Sequence, residues 1–458
     1  MRRSAGARRH WGRPPSRALS KTLGVAAAML LCLTAVLLAL VPGCGMSQGS
    51  ATSSGTMAVQ SPPSAALLSA AVPPARAAVA SRAILPASKY KYTILAANDL
   101  GMHCIQPDYS AMMILPPANF LHVQVFKKGG EGASLIHSGI RVYYAVQNME
   151  APQKALNFWT YAKSYGFNLA PGVGITGNKL SGQMKLSADR KFWEATAIPA
   201  VPYTANGTFN AYPTATVTVK NTKGKVLAVL PKVVIPVSTE MHCDNCHAKT
   251  NTFQSILAIH DKRSGTHLVT DLAAGIRHAC NECHADPILN APGKAGVESL
   301  SQAMHGFHAD KVSQSSLANP CYNCHPGQVT QCLRGVMASP PNNITCTNVK
   351  CHGTVANVAA TIVAGRVPWL NEPDCGNCHP NGANPNKLYR QSYLSNGPED
   401  MNGFILCESC HNGTHAEWPT SRAIDAAVPR YLEGDNGPIH KCKVCHQGSG
   451  HIHGGGGG

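Results

Sequence analysis

With 458 residues, 44% of them apolar, the chain is long enough for two or three domains with ordinary cores. Its formal charge of +16 would suit a nucleic-acid partner, but seven of the positive groups (Arg2, Arg3, Arg8, Arg9, Arg13, Arg17 and Lys21) precede residue 25 with no acid among them, and +9 remains without them. The apolar residues are unevenly placed, with Ala/Val/Leu runs before residue 90, and aromatics are only 6%.

Residues 1–24 are basic and Val25 to Val41 form an apolar run of seventeen, the pattern of an export signal and somewhat short for a stable membrane span. Val41-Pro42-Gly43-Cys44 follows and resembles the bacterial lipoprotein box. That resemblance implies lipidation of Cys44 as the first residue of the mature protein, with Gly45 fitting outer-membrane sorting; Val41 and Pro42 depart from the preferred pattern. A signal peptide cut nearby, or an uncleaved anchor, is the alternative. A lipoprotein signal peptide is thus expected over 1–43. A flexible tether is expected over 44–88, whose Ala, Ser, Pro and Gly cannot bury a core and would span about 35 Å.

From residue 89 to 238 the pattern changes. Tyr90 to Ala96, Phe120 to Phe126, Ile140 to Val146, Phe192 to Ile198, Thr214 to Val219 and Val226 to Ile235 are β-branched or aromatic runs. Turn signals such as Lys128-Gly129-Gly130, Asn206-Gly207 and Thr222-Lys223-Gly224 separate them. An all-β, sandwich-like domain is expected. Within it Asn98-Asp99-Leu100-Gly101-Met102-His103-Cys104 places three soft ligand types side by side, yet a tight turn with a buried Cys accounts for it as well.

The segment 239–453 carries one pattern, Cys-x-x-Cys-His, six times, at Cys243/Cys246/His247, Cys280/Cys283/His284, Cys321/Cys324/His325, Cys375/Cys378/His379, Cys407/Cys410/His411 and Cys442/Cys445/His446. A stretched copy has Cys346, Cys351 and His352, with four residues between the thiols. This is the attachment signature of haem c: both thiols form thioethers to the porphyrin and the adjacent imidazole faces the iron. Zinc ribbons would not need a His after every second Cys. About 29 residues per motif leave little protein core, so short helices and little regular structure are expected, with helical spacing at Thr252 to Lys262 and Leu300 to Val312. Residues 454–458 are a glycine tail. Two propionates on each bis-His ferric haem add about one negative charge, so seven would bring the mature protein to roughly +2, and the nucleic-acid reading falls.

The motif histidines are the expected proximal ligands. Distal candidates are the other histidines of the segment: His242, His260, His267, His278, His305, His308, His415, His440, His451 and His453, ten for seven irons. Met304 and Met337 are alternatives to some of them. Bis-His iron has no open site and changes oxidation state with little rearrangement, which suits electron transfer at low potential. Of 18 Cys, fourteen lie in motifs, Cys32 in the leader and Cys44 at the processing site; Cys104 and Cys332 remain, and leftover thiols in an oxidising compartment often pair.

Together the lipobox, tether and seven motifs resemble the outer-membrane, cell-surface multihaem c-type cytochromes of dissimilatory metal-reducing bacteria. The resemblance implies extracellular electron transfer, without a catalytic site, to metal oxides or partner cytochromes. A periplasmic location, a nitrite- or hydroxylamine-type redox enzyme with one five-coordinate haem, and a polymeric cytochrome filament with a terminal His donated across subunits are the alternatives.

Overall fold

Among the residues that the computed structural model describes (86–129, 133–188, 191–371, 375, 405–420 and 422–447), the strands are β1 (Tyr92–Ala97), β2 (His103–Cys104), β3 (Met112–Met113), β4 (Asn119–Lys127), β5 (Ser134–Leu135), β6 (Ile140–Val146), β7 (Ser181–Gln183), β8 (Lys185–Leu186), β9 (Trp193–Ile198), β10 (Thr214–Asn221), β11 (Val226–Val234), β12 (Val237–Ser238) and β13 (His278–Ala279). The helices are α1 (Pro152–Ala155), α2 (Phe158–Tyr161), α3 (Thr252–Ser264), α4 (Leu268–Ala273), α5 (Leu300–Val312), α6 (Val355–Val363), α7 (Cys407–His411) and α8 (Ala427–Leu432). All belong to one contact unit, Ala78–Gly458. The signal peptide, Cys44, almost all of the tether, Cys378, His379, His451, His453 and the glycine tail lie outside the described residues.

The β-branched runs become β1, β4, β6, β9, β10 and β11 because such side chains pack well on a pleated, half-buried surface. They build two antiparallel sheets, ordered β1-β4-β9-β8 with β5 beside β4, and β11-β10-β6-β7. Ile94, Leu121, Val123 and Val125 of the first share one core with Val142, Tyr144, Val217, Val219 and Leu230 of the second. Two sheets packed through their inner faces make a sandwich. The fold is mixed, with these sheets followed by short helices, and among the described residues no helix is long and apolar enough to cross a membrane.

Strands β6 and β10 alternate between buried and accessible positions, as a half-solvated sheet does. Strands β1 and β4 do not: nearly every residue is buried. The C-terminal segment covers their outer face, with Leu95, Phe126 and Leu135 packed against Ile405 and Val444, and Phe192 against Leu406.

The excursion between β1 and β4 reaches the Cys-rich half of the chain. Parallel pairing sets β2 against β12, His103 opposite Val237 and Cys104 opposite Ser238, and sets β3 against β13, Met112 opposite His278. The Asn98–Cys104 stretch is a tight turn: Asn98 Oδ1 accepts from the amides of Leu100 (3.2 Å) and Gly101 (2.8 Å), and His103 Nε2 donates to Asp99 Oδ1 at 2.7 Å. Gly101 has φ +76°, and a Cβ there would lie 2.2 Å from the carbonyl oxygen of Thr414; one on Gly413 would lie 2.0 Å from that of Asn98. Only glycine permits so close an approach of two backbones.

Candidate metal centres

The five regular motifs that lie wholly among the described residues share one local structure. Each begins a single helical turn in which the first Cys carbonyl accepts from the His amide, at 2.9 Å for His247, 3.0 Å for His284, 2.9 Å for His325 and 2.8 Å for His446; α7 holds Cys407 to His411 in the same way. The turn puts both thiols on one side with the imidazole beyond them. In the stretched motif Cys351 and Gly353 instead donate to the Asn348 carbonyl, at 2.9 and 3.0 Å, so the extra residues loop out.

The second cysteines of these turns differ in their surroundings. Cys324 and Cys445 are half-buried. Cys246 is exposed, although its partner Cys243 packs on Phe253 and Leu257, so the first thiol of that motif is anchored in protein and the second faces outward. Cys283 is half-buried; its amide donates to the Cys280 carbonyl at 3.3 Å and its own carbonyl accepts from the Lys294 amide at 2.8 Å. Both backbones are thus fixed by the turn.

Four motif imidazoles each face a histidine from outside the motifs. Ring centroids are 6.4 Å apart for His247 and His308, 6.3 Å for His284 and His260, 6.3 Å for His325 and His305, and 6.2 Å for His352 and His415. Rings hydrogen-bonded directly to each other would have centroids about 5 Å apart. A metal ion bound at about 2 Å to one nitrogen of each ring, with each centroid about 1.1 Å behind its nitrogen, requires about 6.2 Å. The observed gaps fit a metal between the rings.

The other ring nitrogens support this. His305 Nδ1 donates to the Ser301 carbonyl (2.7 Å), His308 Nδ1 to Met304 (2.7 Å), His284 Nδ1 to Glu298 (2.7 Å) and His415 Nδ1 to Leu100 (2.9 Å); His260 Nδ1 meets Thr266 Oγ1 at 2.9 Å. A carbonyl at Nδ1 fixes the tautomer and leaves the Nε2 lone pair for a metal, the usual outer arrangement of a ligating histidine. His247 Nδ1 is buried without a partner. Burial, then the facing His305 and the neighbouring His415, lower His325 to about 4; burial and His415 lower His352 to about 4. His247 and His260 are lowered by burial and by His308 and His284 respectively. All four are therefore neutral near pH 7, the form that ligates. His415 differs: burial opposes its charge, but Cys332, Glu417 and the Leu100 carbonyl raise it to about 10, so a metal at Nε2 would displace a proton.

Both α5 histidines face motif rings, His305 that of His325 and His308 that of His247, as i and i+3 share a helix face. Other distal candidates are placed differently. His278 meets Glu282 through Nδ1 at 2.8 Å and Asp271 through Nε2 at 3.0 Å, so carboxylates engage both ring nitrogens. His242 Nε2 pairs with Glu240 at 3.1 Å, and His440 lies with Glu433 and Asp435, ligand atoms within 4.8 Å of one another. His267 precedes α4 and accepts from Asp271 through its carbonyl. Met304 offers its carbonyl to His308. Cys104 and Cys332 are both free thiols.

The motif turns touch in a series. Cys280 and Cys243 pack on the same cluster of Phe253 and Leu257; Asn245 Nδ2 donates to Asn323 Oδ1 at 3.1 Å, joining the Cys243 and Cys321 motifs; Asn319 Nδ2 donates to Cys346 Sγ at 3.2 Å. His415, in the loop after the Cys407 motif, reaches His352, and the Ile439 amide before the Cys442 motif donates to the Cys410 carbonyl at 2.9 Å.

Residues without a sequence signal hold these turns in place. Glu240, 8% exposed, accepts from the consecutive amides of Gly327 (3.1 Å), Gln328 (2.5 Å), Val329 (2.9 Å) and Thr330 (2.7 Å) and from Thr330 Oγ1 (2.7 Å). Burial pushes its carboxyl up, but these bonds win and hold it at about 2. On the outer face of β4, His122 Nδ1 donates to Glu408 Oε1 at 2.7 Å, and Gln124 Oε1 accepts from the Leu406 amide (3.0 Å) and Ser409 Oγ (2.9 Å). Thr93 Oγ1 donates to the Val444 carbonyl. Buried Arg334 forks onto Asp425, Nε to Oδ2 at 2.7 Å and Nη2 to Oδ1 at 2.8 Å, and its Nη1 donates to the Gly101 carbonyl at 2.7 Å. The sandwich edge and its β1–β4 excursion are thus the bed on which the motifs lie.

No family model, curated protein or solved structure matches this chain.

Proposed function

We propose that the chain is a c-type cytochrome that carries electrons through about seven covalently bound haems, most of them bis-His. The observation that supports it best is the set of four imidazole pairs, each joining a motif His to a His from another element across 6.2 to 6.4 Å. When bound, haem c supplies a one-electron couple at low potential. The protein's part would be to hold two imidazoles for each iron. His247 with His308, His284 with His260, His325 with His305 and His352 with His415 would each hold one haem iron. The carbonyls at Nδ1 keep each ring in the ligating tautomer, so little rearrangement accompanies a change of charge.

The contacts between motif turns support an electron path in the order of the motifs at Cys280, Cys243, Cys321, Cys346, Cys407 and Cys442. The lipobox at Cys44 and the tether support a place at the outer face of an outer membrane. There the resemblance to cell-surface multihaem cytochromes points to partner cytochromes or extracellular metal oxides as acceptors.

The test is haem content and low-temperature electron paramagnetic resonance on the oxidised holoprotein, with carbon monoxide binding after reduction. Seven covalent haems, all low-spin and inert to carbon monoxide, are expected. His308→Ala should create one high-spin centre and one carbon monoxide site. A high-spin centre in the unaltered protein would overturn the wire in favour of a reactive iron, and the absence of covalent haem would overturn the whole reading.

A further inference from the structure

We propose that Cys104 and Cys332, the two thiols of the described residues outside the motifs, form a disulfide that ties the Asn98–Cys104 turn to the loop carrying Arg334, directly behind His415.

Three independent contacts bring the two segments together. Cys104 lies opposite Ser238 in the β2–β12 pairing; Ser238 Oγ meets Thr330 Oγ1 at 3.0 Å, and Cys332 follows two residues later. Arg334 Nη1 donates both to the Gly101 carbonyl (2.7 Å) and to the Cys332 carbonyl (3.0 Å), so one guanidinium spans both segments of the junction. His415 Nδ1 donates to the Leu100 carbonyl at 2.9 Å with Cys332 Sγ 3.9 Å away. Consistent with this proximity, the thiol of Cys104 is raised well above its usual range by burial and then by Cys332.

Both thiols are free in the structure, the reduced form of the pair. As the sulfur–sulfur bond forms, each S–H loses its proton and the thiols together give up two electrons. A disulfide-bearing thiol oxidase of the exported compartment accepts that pair by thiol–disulfide exchange and leaves as a dithiol. The bond would clamp the carbonyl that fixes His415 to the loop on its other side, making Cys104 and Cys332 positioning residues for that ring. The bond needs from the proposed function only export to an oxidising compartment, and the role of His415 rests on the haem reading.

The full-length holoprotein, recovered from the exported compartment and denatured in an alkylating agent, gives the test by peptide mass. Without reductant neither Cys104 nor Cys332 should be alkylated and their two peptides should run as one linked species; after reductant both should be alkylated. Alkylation of both without reductant, or linkage of either to another cysteine, overturns the proposal. In a second measurement, reductant should lower the denaturation midpoint of the unaltered holoprotein but leave that of the Cys104→Ser, Cys332→Ser double variant unmoved. That variant should also shift the resonance of one low-spin centre; unmoved resonances would overturn the positioning role. A linked peptide pair in protein lacking haem would refute the haem reading and leave the bond standing.

Discussion

Glu240→Gln should cost stability in a way that depends on pH. The carboxylate accepts from four consecutive amides and a hydroxyl and is held at about 2, against an ordinary value of 4.5. A depressed acid contributes stability that is fully present above its unfolded value and lost as pH falls through the folded one. At about 1.36 kcal/mol per unit, the gap amounts to about 3 kcal/mol near neutral pH and about 1.4 kcal/mol near pH 3. Chemical denaturation of the full-length holoprotein should therefore separate the variant from the unaltered protein widely at neutral pH and by less than half as much in acid. Hydrogen exchange should show the amides of residues 327–330 losing protection, because they donate to the Glu240 carboxylate. An equal loss at both pH values, or none at neutral pH, would refute the assignment of the carboxylate as the anchor of that loop.

Arg334→Met leaves Asp425 buried and unpaired, and should cost about 3–5 kcal/mol in denaturation of the holoprotein. Gly101→Ala combines a positive φ with a Cβ 2.2 Å from the Thr414 carbonyl and should cost about 1–3 kcal/mol. Because that backbone carries His415, Gly101→Ala should also weaken one low-spin centre, read by paramagnetic resonance. His278→Gln, which removes an imidazole bound at both nitrogens by carboxylates, should leave every low-spin centre unchanged, whereas His305→Ala should lose one. Gln124→Leu leaves the Leu406 amide and Ser409 hydroxyl without their buried acceptor and should cost about 1–3 kcal/mol, measured by thermal denaturation.

Local chemistry made much of this protein legible from its sequence alone. Six β-branched runs announced six strands because side-chain shape acts within the strand, and the helix at Leu300–Val312 followed from the spacing of its apolar residues. The seven motifs were visible because each sets two thiols and an imidazole within a few adjacent residues. The partners of the motif histidines were not visible. Ten candidates stood in the segment, and only packing brought His260, His305, His308 and His415 opposite motif rings while carboxylates took both nitrogens of His278. Spacing in sequence does not encode which helices cross or which loops meet. For the same reason the sandwich gave no sign of its purpose until the fold laid the Cys407 and Cys442 motifs on β1 and β4. Thr93, His122 and Gln124 alternate with core residues as any half-solvated strand does, and tertiary structure alone decided that their face meets protein instead of water.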